Sequence, residues 1–164
     1  MKIFITGATG FIGGRLVQRL LYENYQLICS GRSTKKLSRL PAHVSTVPLD
    51  IRQESEVDRV LRENRPDIVF HCAAATRTNS LKKLCETNVN GTKNILKASL
   101  KYGISKIVYL SSISVIAGNH GAILSDSMPL KTVSNYGYSK IKAENLVESF
   151  RSKGLNIAIL RPVL

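Results

Sequence analysis

"FITGATGFIGGRLV", residues 4 to 17, decides how the rest of the chain is read. Gly7, Gly10 and Gly13 stand between an apolar run and an amphipathic stretch, three residues apart. A strand that turns sharply into a helix uses one glycine for the turn, one where backbone approaches a diphosphate, and one where helix packs on strand. A helix that begins near Phe11 and Ile12 points unpaired backbone N–H groups outward, which suits an anion. The first interval differs by one residue from the commoner dinucleotide fingerprint, and glycines also serve ordinary turns. The context after a first strand and before an amphipathic helix selects nucleotide binding.

Working outward, short β-branched runs alternate with longer amphipathic stretches. "KIFIT" (2 to 6), "QLICS" (26 to 30), "VSTVP" (44 to 48), "DIVFH" (67 to 71), "KIVYLS" (106 to 111) and "NIAIL" (156 to 160) read as strands. Stretches 12 to 23, 53 to 64, 80 to 102 and 136 to 153 read as helices, with a weak one at 34 to 40. Strands apolar on both faces and separated by helices imply a parallel sheet covered on each side. The expected fold class is α/β, a doubly wound parallel sheet of the Rossmann type in three αβα layers. Ligands of such folds bind at the carboxyl ends of the strands.

The 164 residues, 43% of them hydrophobic, suffice for one sizeable core, so a single domain over 1 to 164 is expected. Twenty-four Lys and Arg against eleven Asp and Glu give a net charge of +13, which favours anionic ligands. The cations are scattered, with no block of five, and exposed stacking aromatics are not evident; a nucleic-acid partner is not expected. Cys29, Cys72 and Cys85 form no C-x-x-C pair, so neither a disulfide framework nor a metal site is expected, and a reducing cytoplasm fits. No stretch is apolar for long enough to span a bilayer, and the early glycines do not suit a signal peptide.

The ordered series "TGATGFIG", "LDI", "FHCAAAT", "NVNGTKNIL", "VYLSS", "YGYSK" and "LRP" resembles the extended short-chain dehydrogenase/reductase family, NAD(P)-dependent epimerases, dehydratases and reductases acting on nucleotide sugars and similar molecules. The resemblance runs along the whole chain. It implies that Gly7, Thr9, Gly10, Phe11, Ile12 and Gly13 hold the cofactor's diphosphate. It also implies that Asp50 and Ile51 meet the adenine, and that Ala73, Ala74 and Ala75 line the cofactor.

An NAD-preferring site commonly has an acid at the end of the second strand for the ribose hydroxyls. Here "CSGRS" puts Gly31 there and Arg32 next. A guanidinium without a carboxylate suits a 2′-phosphate, so NADP is the expected cofactor and NAD the alternative.

Three tyrosines precede a lysine by four residues: Tyr102 with Lys106, Tyr136 with Lys140, and Tyr138 with Lys142. Such a pair shares a face only inside one helix. Tyr102 closes a helix, Gly103 caps it and Lys106 opens a strand, so that pair is structural. Tyr136 and Tyr138, two residues apart, point to nearly opposite faces. The resemblance favours Tyr136 with Lys140, because Ser139 precedes the lysine as in the family. A phenol ordinarily ionises near pH 10, and a nearby ammonium favours the phenolate, so Tyr136 is expected to act as general acid and base. Lys140 would also bind the nicotinamide ribose. Of Ser111, Ser112 and Ser114, counting from the end of the fifth strand selects Ser112 to hold the substrate oxygen, with Ser111 next. Counting back from Gly118 lands on Ile113, a departure from the family pattern.

The chain ends at "LRPVL" where relatives continue into a substrate region, so a cofactor-binding portion is expected that lacks that region. A non-catalytic dinucleotide-binding or redox-sensing module is the competing reading. The stretches 80 to 102 and 136 to 153 are amphipathic in a way that permits a homodimer.

Overall fold

A computed structural model describes residues 1–119 and 123–163, and Leu164 of the "LRPVL" stretch lies outside them. Six strands run β1 (Lys2–Thr6), β2 (Gln26–Gly31), β3 (Ser45–Pro48), β4 (Ile68–His71), β5 (Lys106–Leu110) and β6 (Ile157–Leu160). All pairs are parallel, in the order β3-β2-β1-β4-β5-β6. Strand order reverses between β1 and β4, which opens a crevice at their carboxyl ends.

Side chains alternate across each strand, and the two faces bury different sets. Phe4, Ile28, Val69, Ile107 and Ile157 face α3 (Glu54–Asn64), α5 (Thr92–Lys101) and α6 (Asn135–Arg151), meeting Val57, Leu61, Ile95, Ala143 and Val147. Ile3, Ile5, Leu27 and Cys29 face the other way and bury Val17 of α1 (Phe11–Leu20). Apolar area on both faces of the central strands explains why they read as nearly continuous hydrophobic runs. A short α2 (Thr34–Leu37) follows β2, with the Ser33 hydroxyl accepting from the Lys36 amide.

The expected helix over 80 to 102 is not one regular helix. It comprises α4 (Leu81–Cys85), a π-helical segment over Glu86–Gly91, and α5. The Thr92 hydroxyl donates to the Asn88 carbonyl at 2.7 Å within this irregular stretch. Such π segments place side chains off the 3.6-residue rhythm, and Asn88, buried, lies within this one.

Arg161, just past β6, ties three elements together. Its Nε and Nη2 donate to the two carboxylate oxygens of Glu144 on α6, at 3.0 and 2.8 Å, and its Nη1 donates to Asp126 at 3.2 Å. Glu144 is buried, so this paired geometry compensates the loss of water around its charge. Among the described residues no helix is long and apolar enough to cross a membrane.

Candidate active site

The turn from β1 into α1 is built on two glycines that nothing else can replace. Gly7 has φ +67°, and a Cβ there would come within 2.8 Å of the Ala73 backbone. A Cβ on Gly13 would lie 2.3 Å from the Gly7 carbonyl oxygen. Gly10 is the N-cap of α1, and no side chain caps the helix. Among the described residues the amides of Phe11, Ile12 and Gly13 find no backbone acceptor; Gly14 is the first to reach one, donating to Gly10 at 2.8 Å. Unpaired amides, a positive helix end and an absence of side-chain bulk fit a diphosphate.

A buried polar chain runs from this turn to α6. The Thr6 hydroxyl lies 2.7 Å from His71 Nδ1, and His71 Nε2 lies 3.0 Å from the Thr92 hydroxyl. Since Thr92 donates its own proton to Asn88 O, it must accept from His71, which assigns the proton to Nε2. Nδ1 then accepts from Thr6, whose oxygen in turn accepts from the Ala73 amide at 3.1 Å. Every proton has one place, and His71 is neutral. Burial, helped by the nearby Lys140 charge, lowers its pKa to about 3. Asn88 continues the chain: Oδ1 accepts from the Ala75 amide at 2.7 Å, and Nδ2 donates to Ala75 O and to Ser139 Oγ at 3.1 and 2.9 Å. Ser139 donates to the Tyr136 carbonyl at 2.7 Å. Thus the Ala73–Ala75 segment and the first turn of α6 are pinned by groups that come from β1, β4 and the π segment.

The three tyrosines differ in environment. Tyr102 donates to Asp58 at 2.9 Å beneath the Arg65 guanidinium, and Lys106 lies on β5, away from any shared helix face. Tyr138 is 43% exposed with the Lys142 ammonium over its ring, on the surface. Tyr136 is half-buried, with Ser112 beside it; burial raises its pKa and the Ser112 contact opposes that rise. Ser134 caps α6 by accepting from the Gly137 amide, which fixes where Tyr136 starts the helix.

Lys140 is turned inward. Its Nζ donates to the Leu110 carbonyl at 2.7 Å and stands 4.3 Å over the Tyr109 ring. Burial lowers its pKa to about 7, with Glu144 one turn along the helix acting in the opposite direction. Among the serines, Ser111 is buried and its hydroxyl has no partner among the described residues, whereas Ser112 is half-buried and accepts from both the N–H and the O–H of Ser114.

At the far end of the crevice Arg32 is exposed, next to Gly31 at the tip of β2. The Thr9 hydroxyl sits 3.1 Å from where a Gly31 Cβ would stand. The Asp50 carboxylate is already engaged, because Arg52 Nε donates to both its oxygens at 3.0 Å, and this bond holds its pKa below the usual carboxylate range. Ile51 is buried.

Sequence reasoning missed Thr6, His71, Thr92 and the clamp made by Asn88. Thr6 and His71 end adjacent strands in register, so strand pairing was the signal available for them.

The family model described as the NAD dependent epimerase/dehydratase family matches residues 3–164. The chain is 30% identical to the sterol-4-alpha-carboxylate 3-dehydrogenase of Schizosaccharomyces pombe, over 98% of this chain and 49% of that one. Among solved structures, the UDP-glucose 4-epimerase of Thermotoga maritima with UDP-glucose superposes with a TM-score of 0.90 at 28% identity, covering 98% of this chain and 55% of that one. The Thermus thermophilus UDP-glucose 4-epimerase in complex with NAD gives 0.88 at 29% identity, covering 98% and 54%. The chain therefore spans about half the length of the relatives it matches.

Proposed function

The chain belongs to the NAD dependent epimerase/dehydratase family, and on that premise we propose that it holds a nicotinamide dinucleotide across the tips of β1 and β4 for hydride transfer at a hydroxyl-bearing carbon of a nucleotide sugar or similar molecule. The observation that carries this reading is the turn at 7 to 13, where three amides have no backbone acceptor among the described residues and two glycines leave no room for side chains. The NAD and UDP-glucose named with the two solved relatives support the cofactor and substrate class.

In this reading Gly7, Thr9, Gly10, Phe11, Ile12 and Gly13 hold the diphosphate, Asp50 and Ile51 flank the adenine, and Ala73, Ala74 and Ala75 line the crevice. When bound, the nicotinamide supplies the hydride acceptor or donor. Tyr136 takes the proton from a substrate hydroxyl or returns it to a carbonyl, and Ser112 donates to the same oxygen. Lys140 stabilises the phenolate and holds the ribose, for which its ammonium must leave the Leu110 carbonyl and turn toward the crevice. That inward ammonium is what the non-catalytic reading has in its favour, since a purely binding module would leave it in the core.

The finer cofactor reading is NADP, supported by exposed Arg32 and by Gly31 in place of a carboxylate. Fluorescence titration of the chain with NADPH and NADH, repeated with Arg32→Asp, tests it. The expected result is tighter NADPH binding, reduced about tenfold or more by Arg32→Asp. Equal binding indifferent to Arg32 removes the NADP preference alone; failure of both cofactors removes the dinucleotide reading. A homodimer through α4, α5 and α6, and a cytoplasmic setting suited to three unpaired cysteines, complete the proposal.

A further inference from the structure

Ser114 is given no role by the proposed chemistry, yet both of its donors point at one atom. Its N–H lies 3.2 Å and its O–H 2.9 Å from Ser112 Oγ. A hydroxyl oxygen has two acceptor positions and one proton, so both acceptor positions of Ser112 are taken. Only its proton remains to interact with anything else. The loop is held so that this arrangement persists: Ser112 N-caps the short 3₁₀ turn Ile113–Val115, its carbonyl accepts from the Val115 amide at 3.2 Å, and the Ile113 amide donates to Pro162 O at 3.1 Å.

We propose that Ser114 is a positioning residue that makes Ser112 an obligate hydrogen-bond donor, so that the site selects an oxygen bearing no proton, a substrate carbonyl or the Tyr136 phenolate, over a hydroxyl seeking an acceptor. This rests on the reading of Ser112 given above and deepens it. Ser114 donates to Ser112, and Ser112 in turn stands beside the Tyr136 phenol, so a proton donated by Ser112 toward that phenol or a substrate oxygen is polarised by the bonds it accepts. With both acceptor positions of Ser112 filled, the carbonyl form of the substrate is favoured over the alcohol form, because an alcohol proton directed at Ser112 finds no lone pair. The other groups around the phenol do not duplicate this effect. Tyr109 on β5 is buried and held un-ionised, and Lys140 on the same helix as Tyr136 is bonded to Leu110 O.

Carbon-13 NMR of the full chain labelled at tyrosine Cζ reads the ionisation of Tyr136 directly, its resonance assigned by loss in Tyr136→Phe. Ser112→Ala is expected to raise the midpoint by about half to one pH unit, the effect of one lost hydrogen bond. Ser114→Ala should raise it by roughly a third of that shift, since the amide of residue 114 still donates. Ser114→Thr, which keeps both donors, should return it to the wild-type value. If Ser114→Ala leaves the midpoint unchanged or lowers it while Ser112→Ala raises it, the positioning role is overturned and the Ser112 reading stands. If Ser112→Ala changes nothing, the Ser112 reading falls and this inference falls with it.

Discussion

A methyl group on Gly13 would stand 2.3 Å from the carbonyl oxygen of Gly7, so the opening turn and the first turn of α1 meet with no space between them. The atoms that the methyl would meet, Gly7 O and C and Ala8 Cα, all belong to the backbone, and the turn can admit a Cβ only by moving the amides themselves. Gly13→Ala is therefore expected to weaken NADH or NADPH binding at least about tenfold and to lower the melting temperature. Gly14 is the control one residue away: its Cβ would meet nothing nearer than 3.6 Å, and alanine gains about 1 kcal/mol in helix preference. Gly14→Ala should bind cofactor normally and melt slightly higher. Equal behaviour of the two variants in paired titrations and melts would contradict the account.

Lys140 gives a dependence on alkaline pH. Its folded pKa is lowered to about 7 against an ordinary 10.5, first by burial. Between those values the unfolded chain binds the proton and the folded chain does not, so stability rises with pH across that window, by at most about 1.4 kcal/mol per unit from this group. Lys140→Met removes this contribution. Urea unfolding at pH 7, 8 and 9 should show the wild-type midpoint climbing relative to Lys140→Met; parallel midpoints would refute the lowered pKa of the buried Lys140.

His71 acts in the same direction at acid pH. Its folded pKa is about 3 against an ordinary 6.5, because burial encloses the ring and the nearby Lys140 charge opposes a second positive charge. As pH falls from 6.5 toward 3 the unfolded chain takes up a proton that the folded chain refuses, and stability is lost. Asp50, held low by Arg52, adds its own loss over part of that range, so the comparison must be made with a variant. His71→Gln should be less stable at pH 7 yet show a shallower decline toward pH 4, measured by chemical unfolding. An equal slope in both proteins would place the proton elsewhere.

The layered fold was legible because its signals are local and repeated: apolar runs mark β1, β4 and β5, and glycine spacing marks the entry to α1. The helical period put Tyr136 and Tyr138 on nearly opposite sides of α6, but it took the family resemblance, with Ser139 before the lysine, to choose Tyr136. What escaped has a different character. One extra residue per turn over Glu86–Gly91 disturbs the apolar pattern too little to register, although it sets Asn88 against Ala75 and Ser139. His71 ends an apolar strand and reads as a core residue; its polar partners lie 65 and 21 positions away. The inward turn of the Lys140 ammonium depends on a backbone carbonyl, which no residue type announces. Asp50 and Ile51 stand where strand order puts them, but the Arg52 guanidinium across Asp50 follows from side-chain geometry alone.

The central claim concerns the amides of Phe11, Ile12 and Gly13, and nitrogen-15 NMR observes them one by one. On titration of the labelled chain with NAD and NADP, these three resonances are expected to move most, saturating with the same affinity as the fluorescence change, while those of α3 stay in place. Saturable binding that leaves the three amides unmoved and shifts resonances elsewhere would contradict the account.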